Sequence, residues 1–106
     1  MTISRKLSLS RSQERRVAKD VSGRPTPASG ATSSGRGDVA AEHFLIECKY
    51  TEAGSFSLKC AELLKIGNQA RARGKIPAFI IDFIGRGQYA LVEYPLFKDF
   101  IEDYVR

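Results

Sequence analysis

The chain has 106 residues, of which 42% are hydrophobic and 27% are charged, as is typical of one soluble globular domain. No stretch approaches the roughly 18 apolar residues of a membrane span, and no apolar run follows the N-terminal charges as in a secretory signal. Two cysteines are too few for a disulfide framework and lack the spacing of a metal site. We therefore expect an intracellular, cytoplasmic protein with no membrane partner.

The positive charge is concentrated in the first third of the chain. Residues 1–36 contain eight basic and two acidic residues, whereas residues 37–106 contain nine basic and ten acidic residues. The net charge of +5 therefore comes entirely from the N-terminal part. A basic segment beside a near-neutral body indicates a polyanionic partner, most often nucleic acid, although a solvated basic tail has the same composition.

The N-terminal part predicts an arm followed by a short helix. Residues 1–10 are polar and basic, and we expect them to be a mobile arm, which leaves residues 11–106 as a single domain. Ser10 and Gln13 have the spacing of a capping box, which predicts a helix over about residues 11–22. One stripe of this helix faces inward and includes an acid, where a solvated glutamate would not lie. The stripe consists of Glu14, Val17, Ala18 and Val21.

The middle of the chain predicts a loop and then a β-hairpin. Residues 23–37 are rich in Gly, Pro, Ser and Thr, which is typical of a flexible linker or of an ordered turn. The apolar run at 44–49 acquires charges at its end, as a strand does where it leaves the core. Asp38-Val39 is expected to begin the strand that pairs with it, with a turn near Glu42-His43.

The second half of the chain predicts a helix, two strands and a final helix. Residues 57–73 have helical spacing, 76–84 read as a buried strand, and 88–93 form its return strand after a glycine turn. The final helix starts near Pro95, and we expect its apolar stripe to pack on the domain's own sheet, the alternative being a dimer face. That stripe consists of Phe97, Phe100, Ile101, Tyr104 and Val105.

These elements predict the α/β class, with a small mixed β-sheet flanked by helices in the order α-β-β-α-β-β-α. Side chains at i and i+2 of a strand share a face, so Glu47 and Lys49 point the same way, and a hairpin brings Asp38 beside Glu47. Neighbouring carboxylates repel unless a cation lies between them, and hard oxygen ligands favour Mg²⁺ or Mn²⁺. The backbone carbonyl of Cys48 is a further candidate ligand. Lys49 is placed to orient or deprotonate a water, or to stabilise charge on a phosphate.

Four separate elements together resemble the PD-(D/E)XK nuclease superfamily, and in particular the small Holliday-junction resolvases of archaea and related phage recombination endonucleases. The elements are Glu14 on the first helix, the loop Thr26-Pro27-Ala28-Ser29-Gly30-Ala31, then Gly37-Asp38-Val39 and Phe44-Leu45-Ile46-Glu47-Cys48-Lys49. The resemblance covers residues 13–93 and implies a restriction-endonuclease-like core. It also implies a Mg²⁺-dependent homodimeric endonuclease that cleaves DNA phosphodiesters in an archaeal, bacterial or phage-infected cell.

The resemblance implies roles for five residues. Asp38 and Glu47 match the two acidic metal ligands, and Lys49 matches the catalytic lysine. Glu14 matches the first-helix glutamate that completes the metal site or its water shell. Ser29 matches a loop serine of the archaeal resolvases that is implicated in catalysis or phosphate contact. Gly37 stands where the motif has a proline, at a position that varies across the superfamily.

The basic N-terminal part and the loop are expected to bind the DNA backbone. The expected contacts are Arg5, Lys6, Arg11, Arg15, Arg16, Arg24, Thr26, Ser29 and Arg36. Two other interpretations stay open, a non-catalytic nucleic-acid-binding module whose carboxylates are structural, and a repair or restriction-type nuclease of the same superfamily. The intact set of Asp38, Glu47 and Lys49 counts against the module. No base-reading element is evident, which favours recognition of branched DNA structure over sequence.

Overall fold

The computed structural model describes residues 5–26 and 38–105, except for the side chain of Leu7. Within these ranges the protein is a small α/β protein with a five-stranded mixed sheet and three helices. In chain order the elements are α1 (Arg5–Asp20), β1 (Arg24–Pro25), β2 (Val39–Ala40), β3 (Phe44–Thr51), α2 (Cys60–Ala72), β4 (Ile76–Phe83), β5 (Gly87–Val92) and α3 (Tyr94–Tyr104). The predicted order is confirmed, with the two-residue strand β1 added. None of the described helices is long and apolar enough to cross a membrane.

The strands lie side by side in the order β1-β2-β3-β4-β5. The pairs β1–β2, β2–β3 and β4–β5 are antiparallel, whereas β3 and β4 are parallel and are connected through α2. Val39 lies opposite Ile46, which confirms the predicted hairpin. Gly85 has a φ of +78°, a value that glycine adopts without steric cost in the turn between β4 and β5.

The two faces of the sheet are covered by different helices. Because side chains alternate along a strand, the even-numbered residues of β3 face α1 and the odd-numbered residues face α2. The core on the α1 side contains Val17, Ala18, Val39, Ile46 and Ala78. The core on the α2 side contains Leu45, Ile66, Ala70 and Phe79. Glu47 and Lys49 therefore extend beyond Leu45 along the α2 side.

Helix α1 begins earlier than predicted, at Arg5 instead of about residue 11. Two long-range contacts fix this first turn: the Arg5 Nη2 atom lies 2.6 Å from Glu52 Oε2, and the Tyr50 hydroxyl donates to the Lys6 carbonyl oxygen. The arm predicted over residues 1–10 therefore does not extend past residue 4, and residues 1–4 lie outside the described ranges. The early turns lack an apolar stripe, so the sequence pattern contained no signal for them.

The predicted capping box is wrong, because Ser10 lies inside α1. Its hydroxyl instead donates to Glu14 Oε2 at 3.2 Å. Gln13 is 1% exposed and its amide donates to the carbonyl oxygens of Lys49 and Ile80, at 2.7 and 3.3 Å. Gln13 therefore ties α1 to two neighbouring parallel strands.

Helix α3 starts with Pro95 in its first turn, as predicted, but it does not pack on the sheet. None of its residues is buried, and it makes no substantial contact with another described element. Only Glu93 separates β5 from α3, and a single residue is too short to turn the helix back over the sheet. The expectation that the apolar stripe of α3 covers the domain's own sheet is therefore wrong.

Candidate active site

Asp38 lies at the start of the short strand β2 and continues its ladder with a side chain. Its backbone N–H donates to the Ile46 carbonyl oxygen at 2.8 Å. Its carboxylate Oδ2 accepts a hydrogen bond from the Cys48 backbone N–H, also at 2.8 Å. The carboxylate therefore accepts the hydrogen bond that a backbone carbonyl of β2 would accept if β2 were longer.

Glu47 and Lys49 share one face of β3, as predicted. Lys49 Nζ lies 3.6 Å from Glu47 Oε2 and 3.1 Å from Oε1 of Glu62, a residue in the first turn of α2. Both strand side chains are about one quarter exposed. The Lys49 ammonium and the Glu47 carboxylate are thus held at the margin of the core with access to solvent.

The carboxylates of Asp38 and Glu47 are both partly buried, and the charge of Asp38 disfavours the ionised form of Glu47. Burial raises the pKa of Asp38, against the lowering effects of the Cys48 N–H and the Lys49 ammonium. Burial, and then the charge of Asp38, raise the pKa of Glu47 to about 7, although Lys49 opposes the shift. Burial is thus the main cause of both raised pKa values, and the charge of Asp38 adds to it only at Glu47.

Glu14 approaches the same place from α1. Burial raises its pKa, the charge of Asp38 raises it further, and the Ser10 hydroxyl and Arg11 oppose these effects. The charge of Asp38 acts on Glu14, so the two carboxylates lie in the same region of the molecule. Glu14 is half-buried, in agreement with its predicted inward orientation.

Cys48 lies between the three acids. Burial raises the pKa of its thiol, and Asp38, Glu14 and Glu47 raise it further. The N–H and C=O of one extended residue point toward the same neighbouring strand. Because the Cys48 N–H meets Asp38, its carbonyl oxygen points to the same open edge. Its role as a metal ligand stays a prediction.

The donor chemistry of this site fits a hard divalent cation. Asp38 and Glu47 supply carboxylate oxygens, burial raises the pKa of both, and the charge of Asp38 raises that of Glu47 further, an effect that such a cation would oppose. Among the described residues, no three His, Cys, Asp or Glu side chains are grouped so that they could hold a metal ion. Asp38 and Glu47 are the side chains that would hold a cation here.

The residues expected to bind DNA fall into three groups. Arg11, Arg15, Lys6 and Arg24 are exposed, and Lys19, which was not among the expected contacts, continues the row of Arg11 and Arg15 on α1 at a spacing of four residues. Arg5 and Arg16 are exposed as well, but each forms an ion pair, with Glu52 and with Asp82. Ser29 and Arg36 lie outside the described residues.

Thr26 lies beside the hairpin. Its backbone N–H and its hydroxyl both donate to the Asp38 carbonyl oxygen, at 2.9 and 3.4 Å. The predicted loop is therefore anchored next to the candidate ligand at the residue where its described part ends.

Sequence analysis missed three residues that shape the site. Glu62 gave no signal, because its pairing with Lys49 depends on how α2 packs against β3. Gln13 lies four residues before the buried Val17, so helical periodicity indicated its burial. Asp82 interrupts an apolar run; it is 7% exposed and pairs with Arg16.

Comparison of the chain with known protein families, with curated proteins and with solved structures finds no match. The assignment of the site therefore depends on its own residues and geometry.

Proposed function

We propose that this protein is a metal-dependent DNA endonuclease of the PD-(D/E)XK type, with a restriction-endonuclease-like core. Its proposed substrate is a Holliday junction or other branched DNA in recombination. One observation carries the proposal: Asp38, Glu47 and Lys49 meet at the open edge of a short hairpin, where the two carboxylates are partly buried and the charge of Asp38 raises the pKa of Glu47. A purely structural role does not require two repelling carboxylates at this place.

In this proposal Asp38 and Glu47 hold Mg²⁺, for which Mn²⁺ can substitute. Glu14 completes the site or its water shell, and the Cys48 carbonyl is a further ligand. The bound cation would neutralise charge on the scissile phosphate and on the leaving oxygen.

Lys49 is better suited to stabilising negative charge than to abstracting a proton. Burial lowers its pKa, but the hydrogen bond that Lys49 donates to Glu62 and the charges of Glu47, Glu62 and Asp38 outweigh that effect, so the pKa is raised. A lysine that keeps its proton can contact a phosphate oxygen and orient a water between it and the carboxylates.

The DNA backbone is proposed to lie along the exposed row of Arg11, Arg15 and Lys19. Arg11 acts electrostatically on Glu14, so this row borders the carboxylate site. Because phosphate contacts release counterions, binding should weaken steeply as salt increases. Ser29 and Arg36 in the adjoining loop remain proposed contacts, with Ser29 also a proposed catalytic residue.

A non-catalytic nucleic-acid-binding module is the second candidate. The observation in its favour is that Lys49 already lies close to two carboxylates, Glu47 and Glu62, which compensate its charge. Such a module would bind DNA through the same basic row but would not cleave it. A repair or restriction-type nuclease of the same superfamily would cleave unbranched duplex.

The test compares wild type and Lys49→Ala on a labelled four-way junction and a matched linear duplex, each with Mg²⁺ and with EDTA. The proposal predicts Mg²⁺-dependent paired nicks in the junction, absent from the duplex, from EDTA and from the variant. Cleavage of both substrates would retain the nuclease and discard the junction preference. Binding without cleavage would support the module and contradict the proposal.

A further inference from the structure

The apolar stripe of α3 is exposed along its whole length. Tyr104 is 87% exposed, Tyr94 is 73% exposed, and Phe97, Phe100 and Ile101 are each about half exposed. A stable monomer does not usually leave so many aromatic side chains in water on one helix.

An open apolar groove lies beside this stripe. Helix α2 covers β3 and β4 but leaves the same face of β5 uncovered. Residues of β4 and β5 line the groove together with the first turn of α3. The groove residues are Ile81, Tyr89, Ala90, Leu91, Val92, Tyr94 and Phe97. The stripe and this groove are together called the α3 surface.

We propose that the α3 surface packs against the α3 surface of a second copy of this chain. With aromatic side chains of roughly 150–250 Å² each, the exposed fractions leave on the order of 800 Å² of mostly apolar surface per copy. A stable interface of standard size buries about 800 Å² per partner, whereas the largest apolar patch of a typical monomer is roughly 300–600 Å². The α3 surface is thus large enough to hold a dimer together.

A second copy fits this surface because one copy supplies both complementary shapes. The stripe is a ridge and the adjoining strand face is a groove, so a two-fold axis brings each ridge toward the other groove. The charged residues of α3 lie on the opposite side of the helix and stay outside the contact. These residues are Lys98, Asp99, Glu102 and Asp103.

The charge of α3 argues against two other occupants. Three of its four charged residues are acidic, so the helix repels DNA phosphates. Helices that lie on anionic membranes carry basic residues on their polar face, unlike α3. An aromatic-rich surface with a polar rim is instead typical of protein interfaces.

The proposed interface lies away from the candidate active site. Asp38 and Glu47 are at the β2 side of the sheet, whereas the α3 surface is at the β5 edge. Both sites of a dimer would therefore stay open to DNA. The proposed nuclease function includes a homodimer, and the α3 interface rests on that function only for its role in cleavage. The exposed α3 surface itself is independent of whether the protein is catalytic.

The experiment measures the molar mass of the full chain by light scattering during size-exclusion chromatography over a wide concentration range. Wild type is expected to have twice the mass of the chain. The double variant Phe100→Ser, Ile101→Ser is expected to be monomeric with an unchanged circular dichroism spectrum. The matched control, Asp99→Ser with Glu102→Ser on the charged side of the same helix, is expected to remain dimeric.

A second variant covers the case in which the first one unfolds. Tyr104→Glu changes a side chain that is almost fully exposed in the monomer, so only a dimer should respond to it. A monomeric wild type at every concentration, or variants that remain dimeric, would overturn the inference. Junction cleavage separates the two proposals: a dimer that does not cleave contradicts the nuclease alone, and a monomeric wild type that cleaves contradicts the α3 interface alone.

Discussion

Lys49 on β3 and Glu62 on α2 form an ion pair of 3.1 Å between Nζ and Oε1. The hydrogen bond from Lys49 lowers the pKa of Glu62, and the Lys59 backbone N–H, which donates to Oε2 at 3.3 Å, lowers it further. The same carboxylate therefore caps the start of α2 and orients the ammonium of Lys49 beside Glu47.

Glu62→Gln should slow cleavage without weakening DNA binding, because Lys49 loses an orienting partner but keeps its charge. An ion pair this exposed contributes modestly, so the single-turnover rate should fall about twofold to fivefold. Glu52→Gln is the matched control, since Glu52 pairs with Arg5 in the first turn of α1. A loss as large as that of Lys49→Ala would contradict a merely orienting role for Glu62.

The raised pKa of Glu47 makes the metal-free protein less stable at alkaline pH. With a folded pKa of about 7 against an ordinary value of 4.5, the folded state holds a proton that the unfolded state has lost between those values. The free energy of unfolding should therefore fall as the pH rises through this window. Glu47→Gln should be more stable than wild type by about 1–3 kcal/mol above pH 7 and equal to it near pH 4. Urea denaturation in EDTA measures both; a pH-independent difference would contradict the assignment.

Addition of Mg²⁺ should restore the stability that the metal-free protein loses as the pH rises to about 7. A cation bound by Asp38 and Glu47 displaces the Glu47 proton, so metal affinity should increase with pH up to about pH 7 and then level off. Because a ligand that binds only the folded state stabilises it, Mg²⁺ should raise the Tm of wild type. Asp38→Asn and Glu47→Gln should lose this increase. An equal shift in these variants would place the cation elsewhere.

Arg16 contributes to stability through its ion pair with the buried Asp82, at 3.1 Å. Arg16→Met leaves that carboxylate without its cation, so we expect a loss of about 1–3 kcal/mol in the free energy of unfolding. Arg15→Met, at the neighbouring exposed position, should change stability little. DNA binding should weaken in Arg15→Met if the row on α1 contacts phosphates. Equal stability of the two variants in urea would contradict the structural role of Arg16.

The hairpin that carries the site could be predicted from sequence because its signals are local. The apolar run ending in Glu47-Cys48-Lys49 fixes which side chains share a face, and the short connection from Asp38 fixes the pairing. Those two facts place the carboxylates together without any knowledge of the rest of the fold.

Features that depend on long-range contacts could not be predicted in this way. The first turns of α1 are held by Glu52 and Tyr50, which are more than forty residues away along the chain. The apolar stripe of α3 correctly predicted an amphipathic helix, but periodicity does not identify the surface that a stripe covers. The short connection from β5 keeps α3 away from the sheet. Helical spacing within α3 contains no information about the length of that connection.

The proposed function requires a metal site at Asp38, and single-turnover cleavage of a four-way junction in Mg²⁺ tests this requirement directly. Asp38→Asn preserves the shape of the side chain and its hydrogen bond from Cys48 but removes the charge. Asp99→Asn, on the exposed side of α3, is the control. The proposed nuclease function predicts that the control cleaves at the wild-type rate. Asp38→Asn should still bind the junction but cleave it at least about a hundredfold more slowly. Cleavage by Asp38→Asn at the wild-type rate would contradict the proposed function.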